Sequence, residues 1–159
     1  MEMLAVVLVV ALLMSLALPV YRSVRFEMRR NQAEEAAIKM AEAMRTYYTR
    51  TKGGIINNSF SPLSNPEVLN STACTNVLAT GIPHRSVEGS LTISQLFACG
   101  YLSPKDFQNL PFQFTANGRG DAYGCLVTVT GLARAGQYSG KNFYVSRKMV
   151  IAEKQSDCE

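Results

Sequence analysis

Residues 3–20 read MLAVVLVVALLMSLALPV, an unbroken apolar run with no charge and a single hydroxyl, Ser15. A helix of about this length is at the threshold for crossing the ~30 Å hydrocarbon core of a bilayer. Leu, Val and Ile each favour insertion by roughly 0.3–0.6 kcal/mol near a helix centre, so their sum favours lipid over water. A soluble core helix that is apolar on every face needs a larger protein around it than this chain provides. A secretory signal needs a basic region before the run and a small-x-small cleavage site after it, and neither is present. Residues 3–20 therefore read as a membrane helix.

Working outward, the run is followed at once by Arg22, Arg25, Arg29 and Arg30. Beside a membrane segment such a cluster points to lipid head groups, and a net charge of +4 gives little weight to nucleic acid as the partner. The arginines alone would place the rest of the chain in the cytoplasm. The cysteines argue the other way. Cys74, Cys99, Cys125 and Cys158 are widely spaced, there is no C-x-x-C, and His84 is the only histidine. Structural zinc sites use close pairs of ligands, so scattered cysteines in a small domain fit two disulfides in an oxidising compartment. The two signals agree if orientation was set by a basic leader no longer present.

Beyond Arg22 the pattern becomes amphipathic. Val24, Met28, Ala33, Ala36, Ala37, Met40, Ala43, Met44 and Tyr47 recur mostly at spacings of three and four, which suits one buried stripe. Glu35 and Lys39 are placed for an i,i+4 ion pair, and Lys52-Gly53-Gly54 supplies a stop. The expectation is one helix over residues 1–52, about 75 Å long at 1.5 Å per residue.

Residues 53–159 read as a head. Residues 55–90, rich in Asn, Ser, Thr and Pro, predict a long irregular connection. Residues 91–100 predict a short helix closed by Gly100, with Thr92 or Ser94 near its start, and Ser103-Pro104 can open another turn. Strands are expected over 111–116, 122–132 and 142–153, with Asn117 to Asp121 and Ala133 to Lys141 as links. The head thus divides into a loop and short-helix region, 53–110, and a sheet region, 111–159. Consecutive strands with short links favour an antiparallel sheet on which the helix lays its stripe, an α+β fold.

Residues Met1 to Val10, with Glu2 near the start, and Ala17-Leu18-Pro19-Val20-Tyr21 at the end of the apolar run resemble the N-terminus of mature type IV pilins. Glu2, Pro19 and Tyr21 match that family in type and mutual spacing. The resemblance covers roughly residues 1–50. It departs in two places: the family's glutamate lies a few residues further in, as if about three residues preceded Met1, and Ala11 stands near a position where members often carry glycine.

The resemblance implies a pilin-like fold and a filament subunit. Hydrophobic helices would bundle with copies of the same chain after leaving the cytoplasmic membrane, driven by inner-membrane assembly machinery, while the heads tile the outside. Adhesion, motility or DNA uptake would follow, with DNA or a surface ligand as a possible head partner. Glu2 would pair with the N-terminal amine of a neighbouring subunit, because an unpaired buried carboxylate is costly; its bland alternative is an interfacial acid. Pro19 either marks a kink at the membrane exit or a place where the helix unwinds during packing. Four cysteines allow three pairings. Cys74 with Cys99 and Cys125 with Cys158 is favoured, the second bridge being similar to the C-terminal disulfide loop of many type IV pilins, and free buried thiols are the alternative. Other readings are a pseudopilin of a type II secretion system and an anchored binding domain that never polymerises.

Other motifs carry less. Arg119-Gly120-Asp121 lies where a hairpin needs Gly and polar residues, and the sequons at Asn57 and Asn70 are short enough to arise by chance. His84 has no obvious acid or nucleophile partner, and no nucleotide-binding or zinc-protease motif occurs. Neither catalysis nor a cofactor is expected. Tyr138, Phe143 and Tyr144 could serve a partner, but strand aromatics are usually core.

Overall fold

The computed structural model of the protein describes residues 2–51, 56, 58–72, 74, 92–118 and 123–158. The helix stop at Gly53 and Gly54, the tripeptide at 119–121, Asn57 and His84 lie outside the described residues, as do the side chains of Glu2, Arg50 and Thr51.

The chain is α+β. Helix α1 (Glu2–Thr51) runs unbroken for 50 residues with Pro19 inside it. Strands β1 (Ser59–Phe60), β2 (Phe112–Ala116), β3 (Cys125–Gly131), β4 (Asn142–Ser146) and β5 (Ile151–Ala152) pair in sequence order as one antiparallel sheet. Two short helices, α2 (Pro66–Leu69) and α3 (Ile93–Ala98), precede β2, and a 3-10 turn at Pro104–Asp106 begins with the proline.

Alternation of side chains across the pleat decides which face is core. Phe112, Phe114 and Ala116 of β2, Cys125, Val127 and Val129 of β3, and Phe143 and Val145 of β4 are buried, while the residues between them are partly exposed. Register aligns these sets, with Phe114 opposite Val129 and Val129 opposite Phe143. Helix α1 lies chiefly across β3, flanked by β2 and β4. Ala33, Ala36, Ala37, Met40, Ala41, Ala43, Met44 and Tyr47 form its buried face. Beside it, Phe60, Phe97, Phe107 and Phe114 pack ring to ring at centroid distances of 5.1–5.6 Å. Edge and stacked geometries of this kind add to the burial energy.

The structure corrects four details of the sequence reading. Val24 and Met28 are exposed, because at about 100° per residue they point more than roughly 90° away from the middle of the Ala33, Ala36 and Met40 sector that faces the sheet. The irregular connection contains β1 and α2; β1 is two residues long, too short for periodicity to register. The expected strand at 122–132 is shorter in the described residues, starting at Cys125. The strand expected over 142–153 is two strands. A turn separates them, in which the Ser146 hydroxyl accepts from Lys148 N and Val150 N at 3.3 Å and Met149 takes φ +61°.

Both disulfides are formed. Cys74–Cys99 ties the segment after α2 to the end of α3, and Cys125–Cys158 ties the C-terminal tail to β3. Tyr144 and Ala152 pack against the second bridge.

Gly131 ends β3 where the following loop folds back: Gly140 N donates to Gly131 O at 2.8 Å and Gly131 N to Lys141 O at 2.9 Å. A Cβ on Gly131 would lie 1.9 Å from the backbone oxygen of Tyr138. Backbone held by these bonds cannot swing aside as a side chain could, so Gly131→Ala is expected to lower stability by about 3 kcal/mol in urea denaturation of the detergent-solubilised chain. Replacing Cys125 and Cys158 together by alanine is expected to lower it by about 3–4 kcal/mol, since their bridge closes the longer loop.

Candidate functional site

The surface that the fold leaves without intramolecular cover is the first half of α1. From Met3 to Val20 its large apolar side chains are between 45% (Val10) and 83% (Met3) exposed. The helix is long and apolar enough to cross a membrane, and none of its most apolar window is buried by the rest of the chain. A helix apolar on all sides and left uncovered by its own protein is compatible with membrane association, as the hydrophobic effect demands some apolar surroundings.

Within this half, the backbone is weakest around Pro19. Proline has no N–H, so the carbonyl of Ser15 gets no i+4 partner there. The Ser15 hydroxyl does not fill the gap; it donates to Leu12 O at 2.8 Å. Tyr21 is exposed at the end of the run. Glu2 stands in the first turn of α1, with its side chain outside the described residues.

Where α1 enters the head, three side chains fix the junction. The ring of Phe26 lies against Gly136, where a Cβ would stand 2.4 Å from the ring and φ is +64°. Only glycine takes both the left-handed backbone and the close approach without strain. Glu27 accepts hydrogen bonds from the Tyr138 hydroxyl and from Gln137 Nε2. Arg30 bonds Glu34 at 2.8 Å and Glu153 at 3.0 Å, and its guanidinium lies 5.2 Å from the Tyr138 ring centre.

Arg30 therefore leaves the basic cluster that the sequence suggested. Arg22 and Arg25 are exposed and Arg29 is partly exposed. These contacts join residues more than a hundred positions apart, and no local pattern marks them. Further along α1, Lys39 bonds both Glu35, at 2.9 Å as the i,i+4 spacing suggests, and Asp106 at 3.0 Å, beside a polar cleft of about 250 Å³. Two carboxylates neutralise that ammonium, which makes the cleft a structural contact between α1 and the Pro104–Asp106 turn.

The structure does not bring the sequence-derived site residues to one place. Glu2 and Pro19 belong to the exposed half-helix, whereas Cys74, Cys99, Cys125 and Cys158 belong to the head. Tyr138 seats the helix, Phe143 is core and Tyr144 covers a disulfide. No family model matches the chain, and neither the curated proteins nor the solved structures give a match.

The junction separates apolar from ionic contributions. Phe26→Ala is expected to cost about 2 kcal/mol, roughly half the value for a fully buried phenylalanine. Arg30→Gln is expected to cost under about 1 kcal/mol, because Glu153 is mostly exposed. Urea denaturation of the two variants checks the ranking.

Proposed function

We propose that this chain is a structural subunit of a type IV pilus-like filament, assembling by bundling of its N-terminal helices. The observation that carries the proposal is one continuous helix divided between two environments: residues 3–20 uncovered and apolar, residues 33–47 built into a disulfide-tied head. Glu2, Pro19 and Tyr21 at the family's mutual spacing support it from the sequence.

In this reading the uncovered half resides in the cytoplasmic membrane before assembly and in a helical filament core afterwards, with the heads outside the cell. Exchanging lipid for neighbouring helices gains little hydrophobic energy, since both are apolar. Direction must come from side-chain packing, from pairing of Glu2 with the amine of an adjacent copy, and from membrane assembly machinery. The missing hydrogen bond at Pro19 lets the helix bend at modest cost while copies pack. No catalytic role is proposed.

Electron microscopy of sheared cell-surface material, with mass spectrometry of the filaments, tests this directly. This chain is expected as a repeating component. Glu2→Ala is expected to reduce filament yield by about tenfold or more while the membrane-bound amount stays constant, because the amine then loses its buried partner. Normal filament yield from that variant would remove the pairing role. A membrane-bound chain absent from filaments would favour the anchored binding domain.

A further inference from the structure

We infer that the base of the head and the adjoining turns of α1 form a docking surface for anionic phospholipid head groups, with Arg22, Arg25 and Arg29 as its core. The inference rests on the membrane half of the proposed function and is independent of filament formation.

Position along the helix comes first. At 1.5 Å per residue, Arg22, Arg25 and Arg29 stand about 3, 8 and 14 Å beyond Val20. The head-group layer is roughly 5–8 Å deep on each side of the hydrocarbon. Helical side chains tilt toward the N-terminus, so long arginines placed after the span reach back toward the membrane surface.

Direction comes second. Spacings of three and four put the three arginines within about 60° of one another around the axis. The same sector further along α1 carries Ala33, Ala36 and Met40, which are buried against the sheet. The arginines therefore lie beneath the head. The head's lowest described parts approach the same level: the loop after β3 meets α1 at Phe26 and Glu27 and brings exposed Arg134, with Lys141 against the Tyr138 ring.

Charge comes third. The nearby acids are held by the head, Glu27 by the neutral donors Gln137 and Tyr138, which leave its charge in place, and Glu34 and Glu153 by Arg30. The fold thus spends one arginine on pairing two carboxylates, a group that keeps one negative charge, and leaves Arg22, Arg25 and Arg29 to outnumber it on the bilayer side. Guanidinium groups bind phosphate with two parallel hydrogen bonds. A zwitterionic head group brings its own cation to the site, so the surface selects lipids with net negative charge.

The test uses the full-length chain reconstituted in vesicles holding a trace of spin-labelled phosphatidylglycerol or phosphatidylcholine. Electron paramagnetic resonance reports the fraction of each lipid immobilised at the protein. Phosphatidylglycerol is expected to associate about fivefold or more tightly, an effect weakened by salt. The triple variant R22Q/R25Q/R29Q is expected to bring the ratio close to one with unchanged thermal unfolding, whereas Arg30→Gln leaves it high. Equal association of both lipids with the wild type, or undiminished selectivity in the triple variant, would overturn the inference. Displacement by millimolar soluble glycerol phosphate would also overturn it, assigning the site to a free anion. A chain that stays in the aqueous phase would overturn the membrane reading and this inference together. Loss of filaments in Glu2→Ala with lipid selectivity intact is the expected pattern if the two properties are separate.

Discussion

Alanines at 33, 36, 37, 41 and 43 let the backbone of α1 lie close against the sheet, with Met40, Met44 and Tyr47 filling the gaps between them. Small side chains on the helix and large ones on the sheet, Phe112, Phe114 and Phe143, are buried in one continuous core. Because α1 is continuous, fixing residues 33–47 on β3 also fixes where residues 3–20 go. They project beyond the head and meet nothing of their own chain.

That arrangement concentrates the structural demands at the junction. A long lever fixed at one end transmits bending to the place where it leaves its support. Phe26 against Gly136 supplies a rigid apolar contact there, and Glu27 and Arg30 add polar bonds that set the helix's rotation. Exposed ion pairs contribute little energy, so the ionic contacts select an orientation more than they hold the helix in place. The two disulfides serve the opposite end of the problem. A small head with one sheet buries too little apolar surface to be generous with stability, and its bridges restrict the unfolded chain.

Function in the proposed reading belongs to the uncovered half-helix and to copies of the chain. The head contributes a surface and an attachment. Apart from the exposed Tyr123, its described aromatics are used internally, on the helix, in the core and over the Cys125–Cys158 bridge, which leaves the polar sheet face and the connecting loops as the outward-facing part.

The sequence by itself determined the long helix, the boundary between its apolar and amphipathic halves, and the α+β class. These depend on residues close together in the chain: a charge-free run, a spacing of three and four, alternation within β2 and β3. The antiparallel pairing of β2, β3 and β4 was legible because short links favour pairing of neighbouring strands. The tertiary structure alone decided that Val24 and Met28 stay exposed, that the segment 142–153 turns at Met149, and that β1 joins the sheet edge. It also divided the four arginines. Arg22, Arg25, Arg29 and Arg30 are equivalent as a sequence cluster, yet Arg30 finds Glu153 and Tyr138 across a separation of more than a hundred residues. Charge is a property of composition, but which charge remains available depends on partners that only packing brings within a few ångströms.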